Sequence, residues 1–251
     1  MTQPIGRSGL TRINTTPVPS SGFPSASPLH AVVFDHFLGD SLDAKWNLAE
    51  GTDAATSDAA ILATGAGGVL RVTTGDAGTG LAADMVCLNQ ALQYKANAGG
   101  LSVEAKLSLS AITTCYMFFG FTDTVALEAP VESAGSANTL TSNASDAVGF
   151  MFDTRMAADT FWLAGVKADA DATAQNTDLV PVPATNVTLR VDVDALGAAS
   201  FFVNGVMVGA SMANAVSPSA SLTPVLALGK TSVAASMTAD VDYFAAAMRV
   251  A

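Results

Sequence analysis

Residues 101–109 read LSVEAKLSL, and the alternation is strict. Leu101, Val103, Ala105, Leu107 and Leu109 fall on one face, with Ser102, Glu104, Lys106 and Ser108 on the other. A period of two is the pattern of a β-strand with one face on a core, and no α-helix gathers that set of side chains onto one stripe. Residues 189–194 repeat the pattern, setting Leu189, Val191 and Val193 opposite Arg190, Asp192 and Asp194. CYMFFGF (115–121), VGFMF (148–152) and FWLAGV (161–166) are apolar almost throughout, which suits central strands covered on both faces. Gly, Asn and Asp punctuate these runs at TGAGG, NAGG, SNASD and DALG. Asn204-Gly205, between FFV and VMV, is the signature of a two-residue hairpin, because a type I′ turn needs positive φ at both central positions. Short strands, frequent turns and no helical periodicity predict an all-β, antiparallel sandwich.

The first 30 residues differ in kind. Pro4, Pro17, Pro19, Pro24 and Pro28 stand among Ser, Thr and Gly, so residues 1–30 are expected to form an extended arm, with residues 31–251 as a single domain. Of the 11 basic residues, Arg7 and Arg12 lie in the first 34 positions, and none of the 22 acidic residues does. The body is therefore acidic, which disfavours nucleic acid as a partner. No run of about 18 apolar residues offers a helical membrane span. The opening MTQPIGRSGL lacks an apolar export signal, so synthesis and folding in a cytoplasm are expected. Cys87 and Cys115, both in apolar runs, are read as buried thiols, with a disulfide as the alternative.

Three stretches carry a resemblance: FDHFLGDSLDAKW (34–46), LRVDVDALGAASFFVNGVMVG (189–209) and VDYFAAAMRV (241–250). They resemble the first, late-hairpin and last strands of concanavalin A-like jelly rolls, a superfamily that includes laminin-G-like domains and β-glucanases. The resemblance implies a jelly-roll sandwich whose terminal strands lie close together in one sheet. GGVLRVTTGDAGTGLAADMV (67–86), FFGFTDTVALEAP (118–130) and TLTSNASDAVGFMFDT (139–154) are similar in texture to tailed-phage virion proteins of this fold. That likeness implies a structural, capsid-decorating component.

Catalysis is not expected. The β-glucanase relatives would place two carboxylates on one strand as E-x-D-x-E or E-x-D-x-x-E, on either side of the glycosidic bond, and neither pattern occurs. The D-x-D pairs are Asp169/Asp171, Asp192/Asp194 and Asp240/Asp242; the last two read as solvated strand faces. Asp169, Asp171 and Asp178 read as solvated acids of a loop, with oxygen ligands for Ca²⁺ as the alternative. No cofactor is expected. Gly229-Lys230-Thr231 ends like a phosphate-binding loop, but Pro224 stands where the motif needs its first glycine. Two histidines, His30 and His36, and two cysteines are too few for a zinc site of Cys/His type.

The expected role is thus a virion protein on the capsid surface, bound to a major capsid protein and to further copies of itself, with a trimer as one arrangement. Ile5, Leu10, Ile13, Val18, Phe23 and Leu29 are the candidate apolar anchors of the arm, with Arg7 and Arg12 meeting acidic capsid surface. The alternative is a non-catalytic glycan- or receptor-binding module. Sugar rings stack on exposed aromatics. Trp162 is read as core and Trp46 as structural, which leaves Tyr94 as the candidate expected to be exposed.

Overall fold

The computed structural model describes residues 30–52, 57–62, 68–76, 81–135, 138–171, 174–232 and 235–249. Two eight-stranded antiparallel sheets face one another. Sheet A runs β16 (Val206–Met212), β15 (Ala199–Val203), β14 (Val187–Val193), β6 (Leu101–Leu109), β18 (Thr238–Arg249), β4 (Val69–Thr73) and β3 (Asp58–Leu62). Its eighth strand, β1 (His30–Asp35), pairs with β18 beyond the end of β4, in register from His30↔Arg249 to Asp35↔Phe244. Sheet B runs β12 (Ala170–Asp171), β11 (Trp162–Lys167), β10 (Ala147–Asp153), β7 (Cys115–Thr122), β17 (Thr223–Lys230), β5 (Val86–Asn89) and β2 (Asn47–Glu50), with β13 (Gln175–Asn176) also on β11. Beside them are a two-stranded sheet, β8 (Val131–Ser133) and β9 (Leu140–Ser142), the helical turn α1 (Leu81–Asp84) and a 3-10 turn over Ala96–Ala98.

The expected all-β sandwich is what forms, and the first and last described strands are neighbours in one sheet. Asn204 and Gly205 adopt φ of 51° and 78°, as the hairpin between β15 and β16 requires. The segment read as a loop at Asp169 is tighter than expected. Ala168 and Asp169, both at positive φ, turn β11 directly into β12.

The inward residues of LSVEAKLSL join a core between the sheets, together with Phe119, Phe121, Phe150, Phe152, Leu226 and Leu228 of sheet B. Aromatic edges lock it: Phe119 meets Phe244 at 5.5 Å and Phe150 meets Phe201 at 5.6 Å, both edge to face. Gly120 and Gly149 sit opposite each other in β7 and β10, and a Cβ on Gly120 would lie 2.1 Å from the Val148 carbonyl. That close approach explains two glycines inside otherwise apolar strands.

A second apolar cluster lies on the other face of sheet B. Cys87, Tyr116, Phe118, Met151, Trp162 and Val225 point away from the inter-sheet core and are roofed by Ala129, Val131, Leu140, Ala144 and Met156. The roof is held by polar bonds: Asp153, fully buried at the end of β10, accepts from Ser133 N at 2.9 Å and from Arg155 at 2.7 Å. Arg155 in turn bonds Glu132 at 2.8 Å, and Tyr116 donates its hydroxyl to the Val131 carbonyl at 2.9 Å. Cys87 and Cys115 are both free and buried, as the apolar runs imply. Removing the Tyr116 hydroxyl leaves the Val131 carbonyl without its donor beneath the roof. Tyr116→Phe is expected to keep the fold and lose about 1–3 kcal/mol in urea unfolding.

Candidate functional site

The segment FDHFLGDSLDAKW is organised by Asp35. One carboxylate oxygen accepts from Phe37 N at 2.7 Å, and the other takes the Trp46 indole N–H and the Lys45 ammonium, both at 2.8 Å. Asp43 closes the second turn, accepting from Lys45 N at 2.9 Å. Burial works against the Lys45 ammonium, but its bonds to Asp35 and Asp43 outweigh it and hold its pKa above the ordinary lysine value. Trp46 packs on Phe37 and Phe244, so it is structural, as expected. The loop thereby delivers Asn47 to the start of edge strand β2, where its amide donates to Asn89 at 3.0 Å.

Across from Asn47, the chain leaves β5 at Gln90. Its backbone exchanges two bonds with the Thr223 hydroxyl, at 2.9 and 2.8 Å, and its side-chain oxygen accepts from the Tyr94 phenol at 3.0 Å. Gln90 is only 3% exposed, yet its Nε2 has no partner. An orphaned buried amide costs about 1–3 kcal/mol, so such a group calls for an explanation. Gln90 lines an open pocket of about 590 Å³ that reaches from Val33 of β1 to Asn47 of β2, strands that each have one edge unpaired among the described residues. Asn47, Gln93 and Lys45 supply its other polar groups, and Val33, Trp46 and Val125 its apolar ones.

Two further openings stand out among the described residues. A groove of about 400 Å³ on the outer face of sheet A is lined by Ser102, Asp192, Asp194, Ser200 and Arg249. Its carboxylates are largely committed. Asp194 accepts from the Leu196 and Ala198 amides in its own turn, and Asp192 stands 3.3 Å from Arg190. The face around it differs from the solvated one expected. Arg190 and Glu104 are buried there, Tyr243 bonds Glu104 at 2.6 Å, and burial pushes the Asp192 carboxyl up. Asp240 forks onto Arg71 at 2.7 and 2.8 Å and Asp242 pairs with Lys106 at 2.7 Å, so both act in cross-strand ion pairs. The third opening, about 310 Å³, lies beside the roof of the second core. Glu128 and Glu132 line it, with the Glu128 carboxyl pushed up by burial and then by Asp123. Among the described residues no group of three His, Cys, Asp or Glu side chains is placed to hold a metal ion.

The arm residues Ile5, Arg7, Leu10, Arg12, Ile13, Val18, Phe23 and Leu29 lie outside the described residues. Tyr94 does not have the exposure expected of it. Its backbone pairs with Leu222, its ring lies 5.8 Å from Phe121, and the side chain is 2% exposed. Burial pushes its phenol up to about 12 and leaves no ring face for a sugar. Trp162 is in the second core, as read from the sequence. Lys230, the lysine of the phosphate-loop remnant, is fully buried 3.5 Å from Asp84 of α1. Sequence reasoning missed Gln90, Asn47 and Gln93. The only local signal was a pair of amides closing the apolar run VCLNQ, which any strand end can show.

No protein-family model matches the chain, and no curated protein matches it in sequence. Solved structures do match in fold. A β-1,3-1,4-glucanase (lichenase) from a mouse hindgut metagenome aligns over 87% of this chain and 99% of its own, at 13% identity and a TM-score of 0.59. Peanut lectin aligns over 87% and 97%, at 12% identity and 0.57. The carbohydrate recognition domain of Emp47p aligns over 91% and 100%, at 10% identity and 0.58. The chain is an antiparallel jelly-roll sandwich of the concanavalin A-like kind.

His36 follows β1 beside the pocket-forming loop. Its ring meets Phe34 edge-on at 4.3 Å, and its Nδ1 is buried without a partner. Burial lowers its pKa below 6.5 against the opposing pull of Asp242 and Asp35. The unfolded chain therefore takes up this proton first, so the stability associated with neutral His36 is complete above pH 6.5 and falls away as the pH drops towards the folded value. In urea unfolding at pH 8 and pH 5.5, His36→Phe is expected to lose less stability on acidification than the parent chain.

Proposed function

We propose that the chain is a non-catalytic virion protein: a lectin-like sandwich displayed on a capsid and attached through residues 1–30. The observation that carries the non-catalytic part is the second core. The outer face of sheet B, a broad surface able to hold a substrate, is filled by Tyr116, Phe118, Met151 and Trp162 beneath the β8–β9 roof. The carboxylates of the outer face of sheet A are held in ion pairs and turn bonds, an arrangement that suits structure better than proton transfer. Attachment through the arm is supported by its composition. Six apolar anchors and two arginines precede an acidic body, and β1 starts at the rim of sheet A beside the C-terminal end of β18. Capsid protein and neighbouring copies, in a trimer among other arrangements, are the proposed partners.

A second reading, glycan recognition by the body, is favoured by the pocket beside Gln90 with its unpaired amide. The carbohydrate-directed names of the structural neighbours point the same way.

Binding of the full-length chain, and of a version lacking residues 1–30, to particles that lack the protein tests the capsid role. The full-length chain is expected to bind and the truncated one to lose attachment while keeping its β-sheet circular dichroism. Equal binding by both would move the docking surface onto the sandwich, and binding by neither would overturn the virion role.

A further inference from the structure

We propose that the pocket between Asn47 and Gln90 is a binding site for an uncharged sugar, a site that rests on the glycan-recognition reading above and gives it a location and a charge class.

The argument begins with Gln90. Its backbone is fixed by Thr223 and its side-chain oxygen by Tyr94, so the carboxamide is rigidly presented. The nitrogen end of that carboxamide has no partner and is buried behind the pocket wall that Gln90 helps to form. If the amide were turned over, the phenol oxygen would accept from Nε2 and the side-chain oxygen would be the group left over. A ligand hydroxyl that displaced the thin wall over this amide would satisfy either arrangement, because it both donates and accepts. Asn47 and Gln93, the other amides of the lining, have the same dual character. Convergent polar groups against the apolar Val33, Trp46 and Val125, in about 590 Å³, fall within the range of small-molecule sites.

Charge narrows the class. Lys45 is the one ionisable side chain of the lining, and its ammonium is already held by Asp35 at 2.8 Å and Asp43 at 3.4 Å. An anionic sugar would find no uncommitted cation among the lining groups and would meet the fields of both carboxylates. A cationic one would find no carboxylate in the lining. The site sits at the rim of sheet B, where Asn47 shares a sheet face with Ala49 beside the second core.

The test is a ¹⁵N–¹H NMR titration of the full chain with methyl glycosides of glucose, galactose, mannose and N-acetylglucosamine, and with sialic acid. Concentrations on the order of 10 mM register even weak single-site binding. At least one neutral glycoside is expected to shift the Gln90 side-chain NH₂ resonances, and sialic acid to leave them unmoved. Asn47→Ala, at an exposed position, and Gln90→Leu, checked for fold by its amide spectrum, are each expected to weaken binding by about tenfold, the scale of one lost hydrogen bond. Neutral sugar binding that shifts other residues, leaves Gln90 silent and survives both substitutions would overturn the site while the glycan reading stands. Preference for sialic acid would overturn the charge class. No binding of any sugar would overturn site and reading together.

Discussion

The central strands of sheet B have no face left for water. Every residue of β7, β10 and β17 is buried, because one side meets sheet A and the other meets a second apolar layer. The roof over that layer is built from short strands and loops, too small to hold themselves in place by apolar area alone. The buried Asp153, with Arg155 and Glu132, ties them to the end of β10. A charge at that depth is tolerated because backbone N–H groups and a guanidinium saturate it. Without that tie, the outer side of sheet B would be a large exposed apolar surface, which soluble chains avoid or use for association.

With that face closed, recognition is confined to the rims and to sheet A. Sheet A carries its own polar order, a row of cross-strand pairs in which Arg190, Glu104 and Tyr243 neighbour one another. The pocket beside Gln90 arises at two sheet edges: among the described residues β1 and β2 are each paired on one side only. Edges of sheets are where backbone and side-chain hydrogen-bonding groups remain available, which is why a rim pocket can be polar in a chain so rich in apolar residues.

The strands were legible because alternation and uniform apolarity are local. LSVEAKLSL announced one covered face, CYMFFGF two, and Asn204-Gly205 a hairpin. What covered the second face of CYMFFGF was not legible, since Ala129, Val131 and Leu140 come from a segment with turn-like composition and no periodicity. Tyr94 shows the same limit. Its neighbours in LQYKANAGG are polar and small, and only its pairing with Leu222, distant in sequence, makes it a buried residue. The face of Asp192 shows a related limit: alternation tells which side of the strand a residue occupies, but not that Arg190 and Glu104 would be buried beside the half-exposed Asp192. The polar pocket was the least visible feature, because Asn47 and Gln90 are brought together by the pairing of β2 with β5, which no short-range pattern reveals.

The pairing of β1 with β18 also sets how the sandwich bears load. His30 lies opposite Arg249, so the start of β1 and the end of β18 sit side by side at one end of the sheet. Tension between them pulls across the ladder rather than along it, and the pairs from His30 to Asp35 come apart one at a time, like a zipper. Beyond Asp35 the peel meets the carboxylate that holds Phe37, Trp46 and Lys45 together. The sandwich therefore has a built-in stop: a short, compliant strand that yields first, backed by a knot that protects the rest of the body.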